Sequence, residues 1–365
     1  MIIFLGAGVS RPIGIPTMPE FTKIFEKEIG ENEIYKDIKN STPIESFDLE
    51  FLMTILDDLS KPDPLETISP HTARFLIKKL DRERSIYFSD ETKKKMLDLL
   101  SQSKKMIRKE CLVRLKDNKS KLIEIYDNFF HKGFRSLLER SPKHVSGDGK
   151  LKYIPNTKIF TTNYDTCVET YLNYHQVEFS DGVVRRYGSN IFDVGSYLGE
   201  GSRVEFFKLH GSIDLFKKDG QIKQFTTASM PAGEVTSFGE EVGEEFLVYP
   251  IETSGVRYTT QSPFLELLYL FRKRLSEDRL WIIIGSSCRD FTICSIMNDV
   301  LRTQRDKEHP KIILIDPKPE EVLSNLERGD FSNLREQISS IKGKFGEDKT
   351  FEELENYVIL AGIYF

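Results

Sequence analysis

Two kinds of apolar pattern divide the chain. Short apolar, often β-branched runs occupy residues 1–5, 158–161, 204–209, 280–284 and 311–315. Each run closes on glycine, serine, asparagine, histidine or aspartate. Runs of this length bounded by turn-forming residues predict buried strands. Elsewhere the spacing is helical. Phe21, Ile24, Phe25 and Ile29 share one face of a helix predicted over 20–29. Ile44, Phe47, Phe51, Ile55 and Leu59 repeat in the same way, as do Leu122, Ile123, Tyr126, Phe129, Phe130, Phe134 and Leu137. A further apolar helix is predicted over 264–275. Between 41 and 140 no alternating strand pattern occurs. That stretch reads as a helical insertion, with the Gly/Pro/Ser-rich residues 141–150 as its exit linker. Strands alternating with helices predict an α/β fold with a doubly wound, mostly parallel sheet. Residues 219–245 are polar and glycine-containing, and read as a mobile loop or small excursion.

In an open parallel sheet, ligands bind at the carboxyl ends of the strands. The special residues of this chain lie there. Gly6-Ala7-Gly8-Val9-Ser10 follows the first strand, and small residues let a backbone approach a pyrophosphate. Glycines also serve tight packing, so this loop alone does not decide. Gly285-Ser286-Ser287 repeats the device at a second strand end, which favours a dinucleotide. Asp316 ends a later strand, where a carboxylate can accept from ribose hydroxyls or cap the turn before Pro317. Thr161-Thr162-Asn163-Tyr164-Asp165 offers an uncharged amide for a water or a ribose hydroxyl, with a carboxylate two residues on. The alternative is an Asx turn. His210 is one of six histidines and is the side chain best suited to proton transfer near neutral pH; Gly211 beside it lets a substrate come close.

Composition narrows the field. A net charge of −5 gives no electrostatic support to nucleic-acid binding. The Lys/Arg-rich stretch 104–121 reads as a solvated helix face. The four cysteines, Cys111, Cys167, Cys288 and Cys294, form no C-x-x-C pair and suit neither a disulfide framework nor a zinc ribbon. No run approaches a membrane span, and residue 1 leads straight into a strand without a secretory pattern, so the expected location is cytoplasmic.

Taken in order, these segments resemble the sirtuins. Gly6-Ala7-Gly8-Val9-Ser10 through Gly14-Ile15-Pro16 looks like the opening sirtuin motif. Thr162, Asn163 and Asp165 stand in the segment that meets the nicotinamide pocket. His210-Gly211-Ser212 matches the catalytic His-Gly-Ser. Ile284-Gly285-Ser286-Ser287 matches the phosphate- and ribose-contacting loop, and Ile315-Asp316 stands where sirtuins carry Ile-Asn. The likeness covers 1–25, 155–216 and 280–318, about a third of the chain. It departs in lacking the four-cysteine zinc module, in Thr17-Met18-Pro19 where sirtuins have Asp-Phe-Arg, and in Thr162 where they have Gln. The helical insertion and Arg289-Asp290 look like the divergent sirtuin-like proteins of prokaryotic antiviral defence.

That resemblance implies a Rossmann-like, sirtuin-like catalytic domain from 1–40 and 150–365, with 41–149 as helical cap. It implies NAD as substrate, no metal, and hydrolysis of the nicotinamide–ribose bond. Asn163, His210 and Asp165 would be catalytic. Gly6, Ala7, Gly8, Ser10, Ile15, Pro16, Thr162, Gly285, Ser286, Ser287 and Asp316 would bind the dinucleotide. An NADase needs restraint, so a homo-oligomer and a separately encoded regulatory partner are expected, such as a DNA-translocating ATPase or an Argonaute-type sensor. The helical segment and the apolar run 357–365 are candidate interfaces. No direct nucleic-acid or membrane binding is expected. The alternatives are an ADP-ribosyltransferase or deacylase, and a module that senses NAD or ADP-ribose for a partner.

Overall fold

The computed structural model describes residues 1–42, 47–60, 70–77, 87, 89–138, 154, 156–186, 189–198, 204–218, 220–225, 244–247, 262–303, 310–327 and 337–361. Along them run β1 (Ile2–Leu5), α1 (Met18–Ile29), α2 (Glu33–Asn40), α3 (Leu49–Ser60), α4 (Pro70–Ile77), α5 (Asp90–Asp117), α6 (Lys119–Gly133) and α7 (Arg135–Leu138). Then follow β2 (Thr157–Thr161), α8 (Cys167–Tyr174), β3 (Phe179–Ser180), β4 (Val183–Arg186), β5 (Ser189–Phe192), β6 (Val204–Lys208), β7 (Gly211–Lys218), β8 (Gln221–Gln224) and β9 (Glu244–Leu247). The last are α9 (Phe264–Glu277), β10 (Leu280–Ile284), α10 (Phe291–Thr303), β11 (Lys311–Asp316), α11 (Pro319–Leu326), β12 (Ile338–Lys342) and α12 (Asp348–Leu360).

Seven strands form a parallel sheet in the order β12-β11-β10-β1-β2-β6-β3. The inner strands β1, β2, β6, β10 and β11 are largely apolar because they are buried on both faces, whereas the edge strands β3 and β12 are only half-buried. Side chains alternate between faces along a strand, and the packing shows it. Ile3 and Leu5 of β1 join one cluster with Ile159, Phe206, Ile282 and Ile313, covered by α1, α3, α5, α6, α8 and α12. Ile2 and Phe4 join the other with Phe160, Phe207, Trp281, Ile283 and Leu314, covered by α9, α10 and α11. Phe160 stacks on Phe207 at 4.4 Å. Burying a side chain of this size stabilises by about 1.5–3 kcal/mol, so two filled layers hold the sheet between helices.

The five strands predicted from the pattern agree with the structure within one residue; β3 and β12 at the two edges of the same sheet were not foreseen, and three further differences stand out. The first helix starts at Met18 because Thr17 and Glu20 form a capping box: Glu20 Oε2 accepts from Thr17 N and Oγ1, both at 2.8 Å. Two 3₁₀ turns, Ala7–Val9 and Arg11–Ile13, fill the segment between β1 and α1. A second, five-stranded antiparallel sheet (β4-β5-β8-β7-β9) was not foreseen; it takes strands from within the polar stretch 219–245. Residues 226–243 of that stretch lie outside the described residues, as do Ile44, the linker 141–150 and residues 362–365. Finally, the basic stretch is not simply solvated. Lys104 and Arg108 are buried, and Arg108 lies 4.8 Å over the Phe216 ring of β7, pinning α5 to the strand that follows His210.

Candidate active site

The register explains why the strand ends converge. Leu5 pairs with both Thr161 and Ile284, Thr161 pairs with Lys208, and Ile284 pairs with Ile315. Five strands therefore end in one row. β1 is also where the strand order reverses, with β2 on one side and β10 on the other. A crevice opens at such a reversal. Here it is a cleft of about 2080 Å³, above the roughly 300–1,000 Å³ of an ordinary small-molecule pocket. Every residue named from the sequence lines it: Gly6, Ala7, Gly8, Ser10, Ile15, Pro16, Thr162, Asn163, Asp165, His210, Gly285, Ser286, Ser287 and Asp316.

The two glycine loops pack on each other. Gly8 N donates to Gly285 O at 2.9 Å. A Cβ on Gly8 would sit 2.7 Å from the Gly285 Cα, and Gly285 itself has φ +60°. The glycines are thus required by loop-to-loop contact, whatever lies above them. The N–H groups of Gly6, Gly8, Val9 and Ser10 are all bonded within the protein. In this loop the Ala7 N–H is the one for which the structure shows no partner. The Ser286 hydroxyl accepts from Cys288 N at 3.3 Å, whereas Ser287 is exposed. Gly211 has φ +80°, and a Cβ there would meet the Phe246 carbonyl oxygen of β9 at 2.1 Å. The close approach at Gly211 is therefore by β9, not an opening for a substrate. Asp316 holds a turn, accepting from Lys318 N at 2.8 Å, and burial pushes its carboxyl up from the usual value.

Asn163, Ser10 and Asp165 form a chain of hydrogen bonds with a fixed direction. The Asn163 amide donates to Gly6 O at 3.0 Å, and a carbonyl can only accept. The same nitrogen donates to Ser10 Oγ at 3.1 Å, and Ser10 donates to Asp165 Oδ2 at 2.7 Å. The other Asp165 oxygen accepts from Cys167 N at 3.0 Å, an Asx turn just before α8, whose N-cap is Thr166. The Asn163 amide nitrogen is thus occupied, and its carbonyl oxygen is what it can offer a ligand. Ser10, expected at a phosphate, is buried in this chain at the edge of the cleft, where its hydroxyl links Asn163 to Asp165.

Sequence reasoning missed three participants. Asp290 Oδ2 lies 2.8 Å from His210 Nε2, and its other oxygen accepts from Ile293 N at 3.0 Å at the start of α10. Lys208 reaches under the site: its ammonium donates to the Asp165 carbonyl, to Tyr164 O at 3.3 Å and to Glu169 at 3.0 Å. Burial opposes the ammonium, but Glu169, Asp214 and Asp165 hold its pKa above the ordinary value. Burial pushes the Glu169 carboxyl up to about 7. Glu50 of α3 enters the cleft from the helical segment and accepts from Tyr164 Oη at 3.3 Å. Burial, Asp48 and Asp290 push its carboxyl well above the usual range. Asp290 carried a sequence signal as part of Arg289-Asp290, and Lys208 as the first residue of the Lys208-Leu209-His210-Gly211-Ser212 segment; Glu50 carried none.

All four cysteines are buried and free. Burial holds the Cys111 and Cys167 thiols well above their usual pKa, so neither supplies a thiolate. Among the described residues no group of three or more His, Cys, Asp or Glu is placed to hold a metal, and no helix is long and apolar enough to cross a membrane.

A wide crevice at the reversal of a parallel sheet, lined by two glycine loops, a directed amide and a paired histidine, defines an α/β protein with a polar cleft at its strand ends. Residues 157–339 match the family model described as SIR2-like domain, half of the chain, and the protein belongs to that family. No curated protein matches the sequence. Among solved structures, a mutant Sir2 homologue in complex with ADP-ribose is 14% identical with a TM-score of 0.42, covering 100% of this chain and 94% of that one. A Sir2 homolog–NAD complex is 15% identical with a TM-score of 0.42, covering 99% and 89%. Sir2Tm bound to a propionylated peptide is 12% identical with a TM-score of 0.36, covering 100% and 93%.

Proposed function

We propose that this protein hydrolyses NAD at the nicotinamide–ribose bond, giving nicotinamide and ADP-ribose, with water as the acceptor. The observation that carries the reading is the shared cleft: the Asn163 carbonyl oxygen and His210 lie in it with the two glycine loops. The SIR2-like membership supports a substrate of this class.

In this reading Ala7, Ser286 and Ser287 hold the pyrophosphate, with Gly6, Gly8 and Gly285 shaping the floor. Ile15, Pro16 and Thr162 line the dinucleotide's path, and Asp316 takes the adenosine ribose. The C1′–N bond breaks with its electron pair leaving on nicotinamide, and the ribose develops oxocarbenium character. A preorganised polar wall stabilises that charge. Asn163 holds the attacking water or the ribose through its carbonyl oxygen. Asp165, through Ser10, keeps the amide in that orientation. His210 accepts the proton released as water adds to C1′. No metal enters.

The same proposal takes 1–40 and 150–365 as the catalytic unit and 41–149 as its cap, in a cytoplasmic antiviral effector. Such an effector is kept silent by self-association or by a separately encoded sensor. Purified protein is mixed with NAD, with and without candidate activators, and nicotinamide is followed. Turnover lost in both Asn163→Ala and His210→Ala, with folding intact, supports the reading. Full activity in His210→Ala sinks the assignment. Tight NAD binding with no product in any condition favours a sensing module, and transfer of label from NAD to protein favours an ADP-ribosyltransferase. Native mass measurement, alone and with neighbouring gene products, tests the assembly.

A further inference from the structure

We propose that Asp290 is a positioning residue for the reaction: its carboxylate holds the His210 ring through Nε2, and thereby makes Nδ1 the nitrogen that meets the proton. This rests on the NAD hydrolysis reading for the reaction concerned, but the geometry is a property of the protein alone.

Both carboxylate oxygens of Asp290 are engaged. Oδ1 accepts from Ile293 N at 3.0 Å, which fixes the group to the first turn of α10. Oδ2 lies 2.8 Å from His210 Nε2. The two residues are 80 positions apart and sit on different strand ends, so no local turn brings them together. The His210 side chain is 7% exposed and that of Asp290 18%, so the contact is sheltered from water. A carboxylate can only accept, which places the imidazole hydrogen on Nε2. In the neutral ring Nδ1 is then the acceptor, and among the described residues it makes no hydrogen bond. Burial alone would push the Asp290 carboxyl up, yet hydrogen bonds from His210 and from the Ile293 and Thr292 backbone, with the charge His210 carries once protonated, hold it below the ordinary value. The carboxylate is therefore ionised and present to stabilise the imidazolium that forms when His210 takes a proton. This is the logic of a carboxylate behind a histidine base.

A helix cap needs only one acceptor oxygen, and serine or asparagine supplies it as well as aspartate. Capping does not require the second oxygen on His210. That difference makes the proposal testable. Asp290→Asn and Asp290→Ser keep the cap and remove the carboxylate, and an asparagine amide facing Nε2 inverts the tautomer. The expected result is a kcat for NAD lower by roughly 100-fold or more in both variants, a KM within about threefold, and thermal midpoints near that of the parent. In parallel, imidazole ¹⁵N spectra of the ligand-free protein, with His210 assigned through His210→Ala, should show the Nε2–H tautomer in the parent and its loss in Asp290→Asn. Variants with the parent kcat, or a parent His210 in the Nδ1–H tautomer, overturn the proposal. A parent protein that releases no nicotinamide defeats the hydrolysis reading instead, and the tautomer measurement still decides the role of Asp290.

Discussion

Ser10 donates its hydroxyl hydrogen to the Asp165 carboxylate at 2.7 Å across 155 residues of chain, and in doing so turns the Asn163 amide. The bond is buried and charge-assisted. Ser10→Ala should lower stability by about 1.5–3 kcal/mol, read by urea unfolding. Turnover should fall more than NAD binding, because the amide loses its orientation. Asn163→Asp is expected to be as inactive as Asn163→Ala: an acceptor-only side chain would face Gly6 O, with no hydrogen to give it. An active Asn163→Asp enzyme would refute the directed chain.

The contact of Gly8 with Gly285 joins the first and second glycine loops. Gly8→Ala puts a methyl group 2.7 Å from the Gly285 Cα, where only backbone can give way. Overpacking of this kind costs about 1–3 kcal/mol. Thermal unfolding should show that loss, and calorimetric titration should show NAD binding abolished. Unchanged affinity would mean that the loops do not form the floor of the site.

Lys208 braces the Asn163 segment from below. Lys208→Met removes the donor to two carbonyl groups and leaves Glu169 buried without its cation. Breaking a buried pair in this way costs about 3–5 kcal/mol. The variant should unfold at markedly lower urea and lose turnover, while Lys36→Met at an exposed pair should change neither.

Glu169 makes part of the stability pH-dependent. Its carboxyl titrates near 4.5 unfolded and about 7 folded. The folded state therefore binds its proton more tightly, and the stability it contributes is present below 4.5 and lost as pH rises to about 7. Glu169→Gln keeps the neutral shape at every pH. The difference in melting temperature between variant and parent should move in the variant's favour from pH 4.5 to 7 and then level. A constant difference across that window would contradict the raised value.

Glu50 brings the helical segment into the cleft. Its carboxyl is pushed toward the neutral form, so Glu50→Gln, which mimics that form, should retain turnover within a few-fold. Glu50→Ala loses the Tyr164 contact and should lower kcat/KM by about tenfold or more, on the scale of one lost hydrogen bond to a positioned group. Equal activity of both variants with the parent would remove Glu50 from the site.

Short continuous apolar runs and their polar stops placed five of the seven parallel strands within a residue, though not β3 or β12, and the order of those stops assembled the residues of one cleft. This much the sequence by itself determined, because burial on both faces of a sheet leaves a local, readable pattern. The antiparallel sheet was not legible: β4, β5, β8 and β9 are four residues each, too short for a period to show. Nor were the partners of the site residues. That Ser10 serves Asn163, that Asp290 holds His210, and that Gly211 is shaped by Phe246 depends on strand order and register. These contacts join residues tens to more than a hundred positions apart. No local periodicity encodes them; only the reversal of strand order at β1 and the common row of strand ends brings those side chains within bonding distance.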